Sequence, residues 1–598
     1  MASLTGKFAS LNPFTRSHKH DDDKGDEIDE ATIGGGGYSA RAADVTKHNL
    51  AVSRALKSFL VDQDLLGAHD VQDEDEDEDA DAHSPALLRL LEQPHAILPA
   101  ALTDRSFRLT EYFISSSHNT YLKAHQLFGH SAADAYAVAL STGSRCVEID
   151  AWDNDDNAEE PKVTHGYTLV SNVSLRAVCE TIREVIDKEA AAALDETSTV
   201  HPSPIVVSLE NHCGAHGQLR IVEIMTEVLG HRLLAEPLPS DDPDEHVTLA
   251  ELGAKVVVMV EHHIPGEPED SDSSDDSDSS DSSDDEAEKE SELKAHEEYK
   301  QKKKTAAAAT STIVPELAAI GVYAQSVKPS NNSWFEPPGE LTDRPHHHLI
   351  NVSESGLAAH LAEPANSAAI ARHNARHLMR VFPKGTRISS RNLNPVPFWA
   401  AGAQVAALNW QRFDATMQLN EALFHGSDGY VLKPAALRSG GSYNLNTGQK
   451  VRLRLHVAGA AGIPLSAGLS SDLDKVRPYL TCSLVHSDDL GTPPAERKRK
   501  TNVYKQGGLK GLLTGDKESP PTDPLWDEVL EWEYEDNELV FLRLLVKNDE
   551  SWSTNSKFAV AAVRLAYVQP GWRFIRMLDL KGRETTCSLL VKFEVEKI

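Results

Sequence analysis

Cysteine is scarce in this sequence, and long apolar runs are missing. The five cysteines are scattered and never spaced C-x-x-C, which excludes a disulfide framework and a thiolate zinc site as the basis of the fold. No apolar run approaches the length that spans a bilayer, and the N-terminal stretch has no signal-peptide core. We therefore expect a soluble cytoplasmic protein that is recruited to membranes only peripherally.

Positive charge is also under-represented, because the 598 residues carry a formal net charge of -33. Much of the excess lies in two low-complexity runs, "QDEDEDEDAD" from Gln72 and "EPEDSDSSDDSDSSDSSDDEAEKESE" from Glu267. Such runs repel themselves and cannot bury a core, so both are predicted to be disordered. The sign of the charge argues against a nucleic acid partner. The length predicts two or more folded units, and we expect a monomer.

The pattern of apolar and polar residues divides the remaining sequence into two folded regions. From about Leu98, short apolar runs alternate with helical patterns, as is typical of β/α units. The predicted strands of the first half are "EYFISSS", "RCVEIDAW", "PKVTHGY", "PIVVSLEN" and "AKVVVMVE". The pattern resumes after the second acidic run with "HLINVSE", "HLMRVFPKG", "AQVAALNWQ" and "DGYVLKP". Together the two halves have the length of a (β/α)8 TIM-type barrel.

The predicted organisation is therefore multidomain. Its segments are a mostly disordered region at 1–97 with one possible helix, barrel halves at 98–265 and 312–438, an acidic linker at 266–311, and an all-β region at 439–598. The last region alternates apolar and polar residues at short spacing and is predicted to be an antiparallel sandwich.

Polar side chains follow four of the first-half strands: His118 with Asn119, Glu148 with Asp150, His165, and Glu210 with Asn211. Residues two apart on a strand share a face, so Glu148 and Asp150 are predicted to enter one site. With Asn119 and Glu210 they offer hard oxygen ligands, which suit calcium or magnesium. Any one of these residues alone is more simply a loop or cap residue. Two histidines beside a dication predict phosphoryl transfer by acid–base catalysis.

These residues lie in motifs that resemble a known family. "SSSHNTYL", "CVEIDAWD", "THGYTL" and "SLENHC", followed by "HLMRVFPKG", "ALNWQ" and "GYVLKPAALR", resemble the X and Y regions of eukaryotic phosphoinositide-specific phospholipase C. The all-β region resembles the C2 domain of that family. The resemblance covers roughly 98–265 and 312–597, and it implies a calcium-dependent hydrolase that converts a phosphoinositide to diacylglycerol and an inositol phosphate in intracellular signalling.

The resemblance also implies roles for individual residues. His118 is expected to stabilise the pentacoordinate phosphorus, His165 to act as general acid, and Glu148 to act as general base. Asn119, Glu148, Asp150 and Glu210 are expected to hold Ca²⁺. Ser353, Arg380, Phe382 and His263 are expected to contact the inositol headgroup in an anionic membrane surface.

Some positions depart from the family pattern. Glu261 and His263 stand where many relatives have two lysines that grip the ring phosphates, and Phe382 replaces a tyrosine. Three interpretations are open at Glu261: a changed headgroup preference, a one-residue shift of the alignment, or a loop that bends the side chain outward. In the C2-like region, Arg477 replaces an aspartate, so calcium binding there is an open question.

Two other functional classes remain as alternatives. One is a related TIM-barrel phosphodiesterase that acts on other phosphodiesters with magnesium, and the other is a membrane-binding scaffold with altered catalysis. The acidic linker permits two interpretations as well, a tolerated insertion or a polyanion that holds the site away from an anionic bilayer.

Overall fold

The computed structural model describes most of the predicted folded regions. It describes residues 49–71, 83–123, 131–166, 171–194, 202–238, 246–261, 313–327, 332–336, 347–384, 387, 390–490, 494–506, 519–549 and 557–598. Both acidic runs predicted to be disordered lie outside the described residues. None of the helices within the described ranges is long and apolar enough to cross a membrane.

Two short helices precede the barrel, α1 (Arg54–Asp62) and α2 (Pro85–Glu92). Each begins at a serine whose hydroxyl accepts a backbone hydrogen bond, Ser53 from Leu56 N at 3.3 Å and Ser84 from Leu87 N at 3.2 Å. Their apolar faces form one cluster with residues of the C-terminal sheet, namely Leu56, Leu60, Leu87, Leu91, Ala458, Ala461, Phe574 and Leu590. The possible helix predicted within 1–97 is present as α1, whereas α2 lies in a stretch for which no helix was predicted.

This packing predicts a stability effect at Leu56, whose side chain is fully buried. We expect Leu56→Ala to lower the free energy of unfolding by about 2–5 kcal/mol, because it leaves a cavity beneath α1. Denaturant unfolding of the full chain measures the effect. Leu65→Ala is the matched control, since that leucine is 39% exposed, and equal stability of both variants would contradict docking of α1.

Strands and helices alternate through the next region. The elements are β1 (Tyr112–Ile114), β2 (Ser117–His118), α3 (Asp134–Ser141), β3 (Cys146–Trp152), β4 (Lys162–Val163), β5 (Val173–Ser174), α4 (Leu175–Ala192), β6 (Ile205–His212), α5 (Ala215–Leu229), α6 (Leu249–Leu252), β7 (Val256–Glu261), α7 (Pro315–Ala319), β8 (Gln325–Val327), β9 (His348–Ser353), α8 (Glu354–Leu361), α9 (Pro364–Asn374), β10 (Leu378–Phe382), α10 (Val396–Ala400), β11 (Val405–Ala406), β12 (Leu408–Asn409), α11 (Ala415–Leu423) and β13 (Tyr430–Leu432).

The parallel strands close into a ring. β3, β6, β7, β8, β9, β10 and β11 are consecutive neighbours, and β11 pairs with β1. A parallel bridge between Ser116 and Cys146 joins the end of β1 to β3 and completes the ring. Counting β1 with β2 and β11 with β12 as continuous, eight strand positions make up the predicted (β/α)8 barrel.

Two predicted barrel strands have other places in the sheet. "PKVTHGY" contains only β4, which is antiparallel to the end of β3, so the prediction of a barrel strand there is wrong. "DGYVLKP" contains β13, which pairs antiparallel with β1 outside the ring. The remaining ring position is filled by β8, which joins the two halves by pairing with β7 and β9.

Successive side chains of the ring strands point alternately toward the outer helices and into the barrel interior. On β3, Val147 and Ile149 face outward into an apolar cluster with helices α3 to α5. Cys146 belongs to the cluster inside the barrel, so Glu148 and Asp150 share its inward direction. The predicted common face of Glu148 and Asp150 follows from this period of two.

The C-terminal region is an eight-stranded antiparallel sheet. Its elements are β14 (Lys450–Ala461), α12 (Ala467–Ser470), β15 (Pro478–Val485), β16 (Lys498–Lys500), β17 (Leu525–Glu535), β18 (Phe541–Asn548), β19 (Lys557–Arg564), β20 (Trp572–Leu578) and β21 (Glu584–Lys597). The strand order is β16-β15-β18-β19-β20-β21-β14-β17. Alternate residues of β14, including Val451, Leu453 and Leu455, enter its core. The predicted all-β C2-like region is confirmed.

The barrel and the C-terminal sheet share packed surface. Trp399 of α10 lies with its ring centroid 6.1 Å from that of Phe541 in one buried cluster. Arg543 Nε donates a 2.6 Å hydrogen bond to Gln418 Oε1 of α11. These contacts fix the sheet against the outer helices of the barrel.

Candidate active site

Three carboxylates meet at the carboxyl ends of β3 and β6. Glu148 and Asp150 are buried, and Asp150 lies in register with Glu210 on the neighbouring strand. The side chain of Glu210 is 37% exposed, so it lies at the mouth of the barrel. Three acidic groups so close together repel one another, and the pattern is typical of a site for a cation.

Asp150 has the environment of a metal ligand. Its Oδ2 accepts a 2.5 Å hydrogen bond from the hydroxyl of Tyr121. Its Oδ1 is buried and has no hydrogen-bond partner among the described residues. Burial, together with the charges of Glu210 and Glu148, raises the pKa of Asp150 well above its usual range. A bound dication would satisfy Oδ1 and relieve this repulsion.

Asn119 is held beside these carboxylates in a left-handed backbone conformation, with φ of 45°. Its backbone N–H donates a 2.7 Å hydrogen bond to Glu148 Oε2. Its side-chain Oδ1 lies 3.0 Å from the Tyr121 hydroxyl, whose single proton serves the shorter contact to Asp150. Because strained backbone persists only where its surroundings hold it, this turn fixes an amide oxygen close to the acidic cluster.

Glu148 forms a buried ion pair across the barrel. Arg380 Nη2 lies 2.5 Å from Glu148 Oε1, and both side chains are at most 2% exposed. Arg380 Nη1 donates a further 3.2 Å hydrogen bond to Asn351 Oδ1 on β9. Burial raises the pKa of Glu148 to about 7, although the charge of Arg380 opposes this rise. The structure thus gives Arg380 a partner within the site, while its predicted headgroup contact stays a prediction.

His118 is oriented by Asn409 on the neighbouring strand β12. His118 Nδ1 lies 2.9 Å from Asn409 Oδ1, while Asn409 Nδ2 donates to the carbonyl of Arg391 at 3.3 Å. The second bond fixes the amide orientation, so Nδ1 must be the donor and Nε2 is the unprotonated nitrogen of the neutral ring. Burial and the nearby charge of Arg380 lower the pKa of His118 to about 4, which keeps the imidazole neutral.

His165 lies in the loop that follows β4 and is half-buried. The preceding residue anchors this loop, because Thr164 N donates to the carbonyl of Asp150 at 3.3 Å. The following residue, Gly166, lies so close to the Trp152 ring that a Cβ there would be 1.9 Å from a ring atom. The loop is therefore held on both sides of His165, next to the end of β3.

The predicted headgroup residues are only partly placed by the structure. Ser353 caps α8, since its hydroxyl accepts a 3.1 Å hydrogen bond from Gly356 N. Phe382 is half-buried, and its ring lies 5.6 Å from the Arg380 guanidinium. Glu261 is placed only as the last residue of β7, and His263 lies outside the described residues.

The structure adds three residues that the sequence analysis missed. Tyr121 bridges Asn119 and Asp150, Asn409 orients His118, and His212 lies beside Glu210. His212 carried a detectable signal, because it stands two residues after Glu210 on one strand and so shares its face. The roles of Tyr121 and Asn409 depend on contacts that no local pattern reveals.

Fold and site together define a TIM-barrel protein with an acidic, histidine-containing centre at the carboxyl ends of its strands, suited to phosphate chemistry. A family model described as phosphatidylinositol-specific phospholipase C, X domain, matches residues 105–262, and the Y-domain model matches 317–436. The chain therefore contains the X and Y domains of phosphatidylinositol-specific phospholipase C, and the resemblance stated from its motifs is confirmed.

Individual proteins extend this similarity beyond the barrel. The chain is 29% identical over 561 residues to 1-phosphatidylinositol 4,5-bisphosphate phosphodiesterase 1 of Candida albicans, covering 82% of this chain and 48% of that protein. It is 30% identical over 507 residues to the delta-4 phosphodiesterase of Xenopus laevis, covering 81% and 60%. The chain thus spans about half to three-fifths of these relatives.

The crystal structure of S. officinalis PLC21 has a similar fold. It superposes with a TM-score of 0.64 at 22% identity, covering 93% of this chain and 64% of that one. The L. pealei PLC21 structure gives a TM-score of 0.65 at 21% identity, covering 99% and 68%. The arrangement of barrel and C-terminal sheet is therefore that of a known fold.

Proposed function

We propose that this protein is a calcium-dependent phosphoinositide phospholipase C, which hydrolyses phosphatidylinositol 4,5-bisphosphate or a related phosphoinositide to diacylglycerol and inositol phosphate. The observation that carries the proposal is the meeting of His118 with the Glu148–Arg380 pair and the Asp150–Glu210 carboxylates at one end of the barrel. The curated relatives are named for the bisphosphate, which supports the substrate class.

Glu148 is the proposed general base. Arg380 and the Asn119 N–H stabilise its ionised form, while burial holds its pKa near neutrality. The inositol 2-hydroxyl attacks phosphorus and gives its proton to Glu148, as the glycerol oxygen leaves with a proton from His165. Diacylglycerol and a cyclic inositol phosphate result. Water then attacks the cyclic ester, His165 takes the proton of that water, and Glu148 returns its proton to the 2-oxygen.

His118 is proposed to stabilise the charge that develops on the phosphorus substituents. It is neutral in the free site, with Nδ1–H bound to Asn409. An incoming phosphate anion raises the pKa of a nearby imidazole, so Nε2 can carry a proton when substrate is bound. Burial strengthens this interaction because solvent screening is low.

Asn119, Glu148, Asp150 and Glu210 would hold the cation. Their donors are all oxygens, and the unpartnered Asp150 Oδ1 fits a ligand role for Ca²⁺. When bound, calcium lowers the pKa of an attacking hydroxyl and neutralises phosphate charge.

The C-terminal sheet is proposed to contact the anionic membrane that carries the substrate. Its edge strand β16 consists of Lys498, Arg499 and Lys500, and both lysines are exposed. In the neighbouring loop, Asp472 pairs with Lys475 at 2.7 Å and Arg477 is exposed. This loop therefore offers calcium few free carboxylates, and cationic side chains are the more suitable contacts for anionic lipid.

The domain division is proposed to follow the predicted segments, with barrel halves at 98–265 and 312–438 and a C2-like unit at 439–598. The family matches at 105–262 and 317–436 support the two barrel halves.

A vesicle assay tests the function directly. Purified protein is incubated with vesicles containing phosphatidylinositol, its 4-phosphate or its 4,5-bisphosphate, with and without added anionic lipid, while free calcium is titrated. We expect calcium-dependent release of water-soluble inositol phosphate, and the ranking of the three lipids gives the headgroup preference that Glu261 and His263 leave open. The absence of release from all three lipids would refute the proposal.

Asn409 is expected to act by positioning His118. Asn409→Leu removes the acceptor at His118 Nδ1, and we expect kcat to fall by about 10- to 100-fold. Asn409→Asp keeps an acceptor at the same place and should raise the pKa of His118, which a pH titration of the histidine NMR signals would detect. Normal turnover and an unchanged His118 titration in both variants would contradict this role.

A further inference from the structure

His212 extends the acidic centre beyond its oxygen ligands. The imidazole stacks on the Trp152 indole, with ring centroids 4.2 Å apart and an angle of 15° between the planes. Its Nε2 lies 3.7 Å from Glu210 Oε2. The stacking fixes the ring at the barrel mouth, and the side chain remains 32% exposed, so a solute can reach it.

Asp150, Glu210 and His212 together have the geometry of a metal-binding group. One ligand atom from each residue lies within 4.8 Å of those of the other two. Asp150 Oδ1 is buried without a hydrogen-bond partner in the described part of the chain, and it supplies an oxygen ready for a cation. Ligands of one zinc ion lie roughly 3–4 Å apart, since each is about 2.0–2.2 Å from the metal. Separations of up to 4.8 Å therefore have to shorten when zinc binds, and the partly exposed side chains of Glu210 and His212 have room to move.

The imidazole changes which cation the group prefers. Calcium takes oxygen ligands almost exclusively, whereas zinc and cobalt bind combinations of imidazole and carboxylate. We propose that Asp150, Glu210 and His212 form a binding site for a borderline-soft dication of the zinc class, with a fourth position open to water. Since Asp150 and Glu210 also belong to the proposed calcium set, occupation by zinc excludes calcium. This competition rests on the proposed function, but zinc binding itself does not.

The test is zinc binding by the full chain, measured by competition with a chromogenic chelator and by the visible absorption of bound cobalt. The test variant is His212→Gln. The matched control is His216→Gln, because His216 is also exposed and faces a carboxylate, with Glu159 Oε1 at 2.9 Å. We expect wild type and H216Q each to bind one zinc ion tightly. In H212Q we expect the affinity for this zinc ion to be at least about tenfold lower. Cobalt absorption should fall in H212Q alone.

Two results would overturn the inference. The first is that H212Q still binds one zinc ion as tightly as wild type. The second is that H212Q and H216Q lose zinc affinity to the same extent, which would indicate adventitious binding by surface histidines. Zinc should also inhibit calcium-dependent lipid hydrolysis in wild type, with inhibition relieved by excess calcium. If lipid hydrolysis is absent while H212Q still loses the tight zinc, the proposed function fails and the zinc site stands.

Discussion

His118→Ala and His165→Ala are each expected to reduce turnover of phosphoinositide vesicles by about 10²–10⁴-fold, the range for loss of one acid–base group. Asn409 orients the half-buried His118 ring through Nδ1, and the alanine variant loses Nε2 altogether. His165 lies in a loop anchored by the Thr164 backbone hydrogen bond and by the close approach of Gly166 to Trp152, and His165→Ala leaves both of these contacts in place. Turnover at saturating calcium is the measurement.

Folding must be separated from catalysis in this experiment. His216→Ala serves as the control, because this histidine is exposed on α5 and lies outside the acidic cluster. All three variants should unfold at the same temperature as wild type to within a few degrees. If either site variant keeps near-normal turnover, the assigned roles are wrong.

Arg380→Met is expected to lower the free energy of unfolding by about 3–5 kcal/mol. The change leaves the Glu148 carboxylate buried without its counter-charge, and an uncompensated buried charge is strongly destabilising. A residue that only contacted the headgroup would affect the Michaelis constant and leave stability unchanged. Chemical denaturation of the calcium-free protein therefore distinguishes the ion pair in the structure from a purely substrate-facing arginine.

A double variant completes this experiment. Glu148→Met with Arg380→Met removes both charges, and much of the lost stability should return because two apolar side chains can fill the same space. Arg376→Met, at an exposed arginine just before β10, is the matched control and should be nearly neutral. Equal stability of R380M and R376M would contradict the buried pair.

Residues that follow a local rule were predictable from the sequence. Alternation on β3 places Glu148 and Asp150 on one inward face, and parallel pairing with β6 brings Glu210 into register with Asp150. The apolar run of β7 predicts a strand buried on both faces. These features depend on neighbouring positions and on the general geometry of parallel strands.

Features that depend on distant contacts were not predictable. Glu148 and Arg380 are 232 positions apart, and His118 and Asn409 are 291 apart. The run around His165 has strand-like composition, but only its pairing with β3 shows that it forms a short hairpin outside the ring. Likewise, α1 is predicted as an amphipathic helix, whereas its docking surface belongs to strands almost 400 residues further along.

The pairing of β7 with β8 has a consequence for how the chain can be divided. These strands are direct neighbours, with Val260 opposite Gln325, although the whole acidic linker separates them in sequence. The X and Y segments therefore each supply part of the strands of one closed, hydrogen-bonded barrel sheet. Either segment in isolation would have two exposed edge strands with unsatisfied backbone donors and acceptors. Such edge strands promote aggregation. The length of the linker can vary, whereas the X and Y segments need each other to close the barrel.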